Sequence, residues 1–299
     1  MKKPNTFIVG APKCGTTAMH EYLSQHPEIF GCQPKEPHYF IQEDFPNWWR
    51  RTEQQYYSLF KNVKDEKVVL ESSVWYLYSK SSIKRIKEYN ENAKLIIMIR
   101  NPTEMIHACH GENYKNRQDD KKNISESWGL IGKRKDGHYI PKTCRAEQLL
   151  YYDKIAGYKE QIERVLLYFE KNQIFFIVFD DFIKNPKNTY DDVLKFLGVS
   201  EFDGCSFDKV NESKAIKSTL IADVTRGHPI IVFNTYNYIK KALGFNGFSL
   251  MKKFRSINEY RKRRKELPAE VKKEIIKSYM NDVLFLERLL DKNLDSWKV

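Results

Sequence analysis

The stretch Phe7-Ile8-Val9-Gly10-Ala11-Pro12-Lys13-Cys14-Gly15-Thr16-Thr17 decides the fold of this 299-residue chain. Its apolar start predicts a buried strand, and the residues from Thr16 to about Gln25 predict a helix that ends before Pro27. The glycine-bearing turn between them lies where backbone N–H groups and a helix N-terminus converge on an anion. The stretch therefore predicts a phosphate-binding loop in an α/β fold.

The rest of the chain continues this alternation of strands and helices. Further buried strands are predicted at residues 67–70, 95–100 and 174–179. Helices are predicted at residues 81–89, 147–169, 186–197 and 268–290. Such an order favours a central, mainly parallel β-sheet flanked by helices. Because no repeat or low-complexity linker interrupts it, we expect a single domain over residues 1–299.

Composition restricts the setting in which the chain works. Its hydrophobic fraction of 41% is enough for a buried core. No apolar run approaches the ~20 residues of a transmembrane helix, and no signal-peptide pattern precedes the first strand, so we expect a cytosolic protein. The five cysteines lack metal-type spacing, and their odd number predicts free thiols, with neither a disulfide framework nor a metal site.

The formal net charge of +12 predicts an anionic partner. A nucleotide, a polyanionic glycan, nucleic acid or an acidic membrane surface would each fit. Eight basic residues crowd residues 252–265, where they could cover bound phosphates, hold an anionic substrate or form a solvated surface. No zinc finger, aromatic RNA-binding pair or helix-turn-helix pattern accompanies them, which argues against nucleic acid as the partner.

The glycine loop differs from the phosphate loop of nucleotide kinases at one informative position. Its two glycines have the spacing of the GxxxxGK[ST] motif, but Thr16 stands in place of the lysine and Lys13 lies inside the loop. A sulfuryl donor carries less negative charge than a nucleoside triphosphate, so loop amides, one lysine and hydroxyls could neutralise it without Mg²⁺. The pattern favours sulfuryl over phosphoryl transfer, with a nucleotide kinase as the alternative.

This loop resembles the 5′-phosphosulfate loop of the sulfotransferases that use PAPS (3′-phosphoadenosine-5′-phosphosulfate), in their bacterial and glycan-type form. The resemblance implies that the donor's 5′-phosphosulfate is held by Pro12, Lys13, Cys14, Gly15, Thr16 and Thr17. It also implies that Lys13 stabilises charge on the bridging oxygen as the bond to sulfur breaks. PAPS would then be the co-substrate and PAP the product, with no metal.

Two candidate proton acceptors follow in the hexapeptide Lys35-Glu36-Pro37-His38-Tyr39-Phe40. A carboxylate or an imidazole could take a proton from an acceptor hydroxyl or amine. The hexapeptide is similar to the KEPHFF-like segment of the same family, whose glutamate is the catalytic base. We therefore predict Glu36 as the base. His38 could assist it, hydrogen-bond the acceptor or pack beside Tyr39 and Phe40.

Arg100 ends a predicted strand, and sites in open parallel sheets lie at the carboxyl ends of strands. Its guanidinium fork suits phosphate oxygens, and the segment resembles the family's RNP motif, whose arginine binds the donor's 3′-phosphate. The family has a serine eight residues later, where this chain has Ala108. A lost hydroxyl donor costs roughly 1–3 kcal/mol if nothing replaces it. A weakly active protein that binds PAP or another polyanion is therefore a third interpretation.

Two further resemblances complete the candidate site. Residues 71–78 are similar to the family's ExSxxYL segment, which lines the cleft, so Ser73 and Trp75 are candidates for acceptor contact. Residues 211–218 resemble its NxSxxxRS segment with lysine in place of arginine, so Ser213 and Lys217 are candidates for nucleotide contact.

The acceptor stays open at this stage. A sugar hydroxyl, an amine, a lipid and a small natural product all suit a base beside a variable lid. Residues 41–57, 119–145 and 224–265 are the predicted insertions and lids, where acceptor specificity would lie. The predicted reaction is an in-line displacement at sulfur, in which Glu36 deprotonates the acceptor and PAP leaves. A homodimer is compatible with this prediction.

Overall fold

The computed structural model describes residues 3–42, 45–208, 214–226, 256–261 and 266–299. The backbone forms two compact units. The first contains residues 1–105, 156–211 and 276–299, and the second contains residues 106–155 and 212–275. The single domain expected from the sequence stays a prediction.

A parallel sheet forms the centre of the first unit. Its strands are β1 (Thr6–Gly10), β2 (Ile29–Gly31), β3 (Val68–Ser72), β4 (Lys94–Ile99) and β5 (Ile174–Val178). They pair in the order β2-β3-β1-β4-β5, and every pairing is parallel. All residues of β1 and β3 are buried, as expected for strands inside a parallel sheet. The predicted α/β fold with a central parallel sheet is confirmed.

Helices of the first unit flank this sheet, and further helices belong to the second unit. The described α-helices are α1 (Thr16–Leu23), α2 (Glu53–Ser58), α3 (Ser82–Tyr89), α4 (Pro102–Lys115), α5 (Ile124–Gly129), α6 (Ile131–Lys135), α7 (Tyr152–Ile155), α8 (Tyr158–Leu166), α9 (Phe179–Lys184), α10 (Pro186–Leu197), α11 (Thr219–Arg226) and α12 (Ala269–Leu290). The boundaries of α10 are those predicted: proline begins the helix, and Gly198 ends it with a left-handed φ of 76°.

The helix predicted at residues 147–169 is wrong as a single element. The chain forms a 3₁₀ turn at Glu147–Leu150, then α7, then α8. Gly157 precedes α8, and glycine inside a helix costs about 1 kcal/mol relative to alanine. The apolar residues that suggested one long helix are largely buried, but only Tyr158, Ile162 and Val165 of the buried ones lie on α8, while Ile155 and Phe169 lie on either side of it.

The second unit contains a buried ion pair and a short antiparallel sheet of its own. Residues 119–145, a predicted lid, include α5, α6 and a fully buried ion pair in which Arg134 donates to Asp119 at 3.0 and 2.8 Å. The Tyr152 hydroxyl donates to the same carboxylate at 2.9 Å. Elsewhere in this unit β6 (Lys214–Ile216) and β7 (Glu259–Arg261) pair antiparallel.

Some sequence predictions are not addressed by these elements. No described helix has both the length and the apolar character needed to cross a membrane. Within the described ranges, no cluster of three or more His, Cys, Asp or Glu side chains could hold a metal ion. A cytosolic location, metal-free chemistry and a homodimer stay predictions. Ser213 and the basic residues of 252–265, apart from the backbone of Arg261, lie outside the described residues.

Candidate active site

The phosphate loop connects β1 to α1. Its backbone is left-handed at Lys13 (φ 62°) and at Gly15 (φ 86°). Left-handed residues in such a loop turn neighbouring N–H groups toward one concave side, where an anion can bind. Gly15 is also the N-cap residue of α1 and no side chain caps the helix, so the first-turn N–H groups keep their capacity for a ligand. The loop therefore fits the 5′-phosphosulfate predicted for it.

The interior of the loop is tightly packed. A Cβ atom at Gly15 would lie 3.1 Å from ring carbons of both Phe179 and Phe182, a tight contact that would require these rings to shift, and the left-handed backbone adds strain for any other residue. Pro12 and Cys14 are buried, and the Cys14 Sγ lies 3.4 Å from the Pro12 carbonyl oxygen. These two residues can offer a ligand only their backbone.

Arg100 follows β4, and its side chain contacts the phosphate loop. Its Nη1 donates to the Lys13 carbonyl oxygen at 3.2 Å, and its guanidinium carbon lies 4.4 Å from the centroid of the Phe179 ring. The Tyr158 hydroxyl lies 3.1 Å from the Arg100 backbone nitrogen and 2.9 Å from its carbonyl oxygen. The predicted 3′-phosphate residue and the predicted phosphate loop are therefore in direct contact.

Glu104 occupies one edge of the Arg100 guanidinium. The Nε and Nη2 atoms of Arg100 both donate to the Glu104 Oε2, at 3.1 and 2.6 Å. This edge is suited to bidentate binding of phosphate oxygens. The Glu104 side chain is 57% exposed and that of Arg100 is 15% exposed, so solvent reaches this ion pair from the Glu104 side. Binding of the 3′-phosphate by Arg100 stays a prediction.

The other predicted nucleotide contacts lie outside the first unit or outside the described residues. Ala108 is fully buried in α4. Lys217 is exposed, and its backbone N–H donates to the Asn258 carbonyl oxygen at 2.8 Å. Both belong to the second unit, and their contact with a nucleotide stays a prediction, as does that of Ser213.

The predicted base lies close to the phosphate loop. Lys35 connects the two, because its Nζ lies 2.9 Å from Glu36 Oε1 and 3.4 Å from the Thr16 Oγ1 at the start of α1. On the other side, the His38 Nε2 lies 3.6 Å from Glu36 Oε2. The structure thus puts Glu36 between His38 and Lys35, and Lys35, which was not a predicted site residue, links Glu36 to Thr16.

The charge state of Glu36 follows from these neighbours. Burial by itself raises the pKa of Glu36, but the adjacent His38 and Lys35 stabilise the carboxylate more strongly and lower its pKa to about 2. Glu36 is therefore ionised throughout the neutral range and can accept a proton.

The loop that carries Glu36 is attached to the end of β3 at every second residue. The Glu36 N–H donates to the Ser72 carbonyl oxygen at 2.9 Å, and the His38 N–H donates to the Ser73 Oγ at 3.1 Å. The Phe40 N–H donates to the Tyr76 hydroxyl at 3.3 Å. Ser73 is fully buried, so its hydroxyl supports the His38 backbone. Its predicted contact with an acceptor stays untested.

Trp75 belongs to an aromatic cluster beside His38. Its ring centroid lies 5.6 Å from those of Phe45 and Tyr78, and Phe45 also contacts Trp49 at 5.4 Å. Trp49 in turn lies 5.8 Å from the His38 ring. Trp75 is only 8% exposed, so it packs behind this cluster rather than forming an open surface.

Known proteins resemble this chain in sequence and in fold. The family model described as "Sulfotransferase domain" matches residues 3–282. The chain belongs to the sulfotransferase-domain family. The crystal structure of a sulfotransferase from Alicyclobacillus acidocaldarius superposes with a TM-score of 0.72, at 26% identity and with 100% of both chains covered. The fold predicted from the phosphate loop is thus that of a solved member of this family.

Curated relatives in the sulfotransferase family share part of the chain. A bifunctional heparan sulfate N-deacetylase/N-sulfotransferase 4 from Mus musculus is 26% identical over 203 residues, covering 66% of this chain and 22% of its own length. A heparan sulfate glucosamine 3-O-sulfotransferase 3B1 from Homo sapiens is 25% identical over 197 residues, covering 66% of this chain and 46% of its own length. The chain thus spans less than half of either relative.

Beneath the Glu36 loop of this sulfotransferase-family chain lies a buried carboxyl, Glu71. It accepts hydrogen bonds from the Tyr76 hydroxyl at 2.8 Å and the Tyr56 hydroxyl at 3.3 Å. Burial raises the pKa of Glu71 from 4.5 to about 7, although these hydroxyls and Ser73 oppose the change. Glu71 therefore titrates near neutral pH inside the fold and supports the tyrosine that holds Phe40.

Glu71→Gln is expected to flatten the pH dependence of stability. Between pH 4.5 and about 7 the folded protein keeps a proton that the unfolded chain releases, so the free energy of unfolding of the parent falls as pH rises. The slope from this group reaches about 1.4 kcal/mol per pH unit at most. Urea unfolding at several pH values measures it. The exposed Glu88→Gln on α3 should keep the parent's slope, and an unchanged slope in Glu71→Gln would contradict the expectation.

Three side chains of the site, Lys35, Glu104 and Glu71, were not predicted, because the sequence around them gives only weak evidence of a role. Lys35 stands next to the predicted base in the same hexapeptide, and Glu104 stands four residues after Arg100, in the helix that follows the predicted strand end. Glu71 is the first residue of the segment 71–78, in which Ser73 and Trp75 are the predicted acceptor contacts. Their roles depend on the strand order of the sheet, in which β3 lies between β2 and β1, and β4 lies on the other side of β1.

Proposed function

We propose that this chain transfers the sulfuryl group of PAPS to a hydroxyl or amine and releases PAP. The observation that carries the proposal is the Thr16–Lys35–Glu36 arrangement, which puts an ionised carboxylate beside the N-terminus of the helix that follows the phosphate loop. A group-transfer enzyme needs a proton acceptor and an anion site next to each other. The heparan sulfate relatives support sulfuryl transfer as the reaction.

Residues of this site can be assigned to the steps of the proposed reaction. The acceptor's proton moves to the Glu36 carboxylate as its oxygen or nitrogen bonds to sulfur. The bond between sulfur and the bridging oxygen of the 5′-phosphate breaks, and its electron pair stays on that oxygen. The loop N–H groups and Lys13 stabilise the charge that develops there, and Arg100 binds the 3′-phosphate after displacing Glu104. No bond to the protein forms.

We propose a glycan hydroxyl or amine as the first acceptor to test. Both heparan sulfate relatives described above act on a glycan according to their names, one as an N-sulfotransferase and one as an O-sulfotransferase. The exposed Trp48, 45% exposed and 5.4 Å from Trp49 between ring centroids, offers a flat apolar surface on which a sugar ring can pack. Lipids and small natural products are the next candidates.

Calorimetric titration tests the donor site without knowledge of the acceptor. PAP is expected to bind in the micromolar range without metal, and to bind more tightly than AMP, which lacks the 3′-phosphate that Arg100 would hold. ATP with Mg²⁺ is expected to bind much more weakly. Tight binding of ATP with Mg²⁺ in place of PAP would favour the nucleotide kinase. PAP binding without any PAP release from PAPS, tested with glycan and phenol acceptors, would favour the weakly active binding protein.

A further inference from the structure

Lys35 is a charged residue of this site that the mechanism above does not use. Its ammonium group is enclosed, with only 13% of the side chain exposed. Its two polar neighbours are the Glu36 carboxylate at 2.9 Å and the Thr16 hydroxyl at 3.4 Å. Lys35 therefore lies between the proton acceptor and the helix start at which the sulfuryl group would bind.

The other titratable groups near Lys35 leave Glu36 as its counter-ion. Burial, followed by the charge of Lys35, lowers the pKa of His20 to about 4, so this ring is neutral at neutral pH. Burial raises the pKa of Glu71 to about 7, and burial raises the pKa of the Cys32 thiol to about 12. His38 faces the far oxygen of Glu36. Glu36 is the group that carries a full negative charge next to Lys35 in the donor-free protein.

This pairing weakens the predicted base. A general base works best when its pKa lies near the working pH. Lys35 and His38 instead hold the pKa of Glu36 at about 2, so the paired carboxylate has little tendency to take a proton. Moving the ammonium group away from Glu36 would strengthen the base. A sulfuryl group bound at the start of α1 brings new anionic oxygens close to the Thr16 hydroxyl, which already lies within reach of Lys35.

We propose that Lys35 is a further catalytic residue, whose ammonium group leaves Glu36 for a sulfuryl oxygen of PAPS when the donor binds. The inference rests on the proposed function. Lys35 keeps its proton throughout, while the acceptor's proton goes to Glu36 and the electron pair of the breaking S–O bond goes to PAP. The exchange couples donor binding to base strength, so an acceptor is deprotonated only when a sulfuryl group is in place.

The proposal distinguishes PAPS from PAP as ligands. PAP lacks the sulfuryl group, so Lys35 stays paired with Glu36 when PAP binds. Lys35→Met keeps the length of the side chain and removes its charge. We expect this variant to bind PAPS at least about tenfold more weakly than the parent, and to bind PAP within about twofold of the parent. Calorimetric titration with each ligand, at low temperature to limit turnover, measures both. Lys84→Met, an exposed lysine on α3 paired with Glu88, is the control and should bind both ligands as the parent does.

The outcomes separate this inference from the proposed function. If the parent binds neither ligand, both are overturned. If the parent binds both ligands and Lys35→Met changes neither affinity, or weakens both equally, only the role of Lys35 is overturned. Lys35→Arg keeps a cation and should recover part of the PAPS affinity. Should Lys35→Met fail to fold, Lys35→Gln carries the same expectation for the ratio of the two affinities.

Discussion

Lys13→Ala is expected to lower the rate of PAP release from PAPS by about 10³-fold. In the proposed reaction, the positive charge of Lys13 stabilises the negative charge that develops on the bridging oxygen as its bond to sulfur breaks. Alanine removes that charge, so only the loop N–H groups remain to stabilise the bridging oxygen. The backbone at position 13 is left-handed for lysine and would be for alanine, so the substitution adds little strain of its own.

The measurement is the initial rate of PAP formation with saturating PAPS and the best available acceptor. Lys84→Ala on α3 is the matched control, because it removes an exposed lysine far along the chain from the loop. Circular dichroism and the urea midpoint establish that the Lys13 variant is folded. A folded Lys13→Ala protein with more than about a tenth of the parent's rate would remove Lys13 from the mechanism.

Glu36→Gln is expected to lower the same rate by about 10²- to 10⁴-fold, the usual contribution of a general base. Glutamine has nearly the same shape but cannot take a proton from the acceptor. PAP binding should be retained, because the change removes a negative charge from the neighbourhood of an anion site. Loss of turnover together with intact PAP binding is the combination that identifies Glu36 as the base.

The pH dependence of the parent gives a second check on Glu36. Its depressed pKa means that the carboxylate is charged above the unfolded value and is protonated only as pH falls toward about 2. Protonation of Glu36 in the free protein therefore cannot reduce activity between about pH 5 and 8. Glu88→Gln serves as the control substitution. A Glu36→Gln protein that turns over PAPS at the parent's rate would point to His38 or to water as the proton acceptor.

Local sequence was enough for the centre of this fold. Strand β1, the loop and α1 were all predictable from one stretch, because the strand, glycines and helix signals are adjacent. The same holds for α10, whose proline and glycine mark its ends. The single helix predicted at residues 147–169 is wrong because its apolar periodicity continues across Gly157, which precedes α8, and the three-residue β2 has too few residues to show a period.

The candidate site was predictable in its residues more than in its arrangement. Lys13, Glu36 and Arg100 were proposed from motifs, but the contact of Arg100 with the loop depends on β1 and β4 pairing side by side. Lys35 was not predictable as a site residue, because a lysine next to a glutamate usually forms a solvent-exposed ion pair of little consequence. Its importance comes from Thr16, which lies 19 residues earlier and reaches it only through the fold.

The ion pair between Arg100 and Glu104 also has a consequence for the salt sensitivity of donor binding. A bare guanidinium would attract a mobile counter-ion and release it when a phosphate arrives. Here the Glu104 carboxylate already pairs with Arg100, so phosphate binding to Arg100 would replace one negatively charged partner by another. Fewer ions are released to solvent than the count of phosphate contacts would indicate. If Arg100 binds the 3′-phosphate as proposed, the guanidinium stacked on Phe179 has a negative partner both before and after the donor binds.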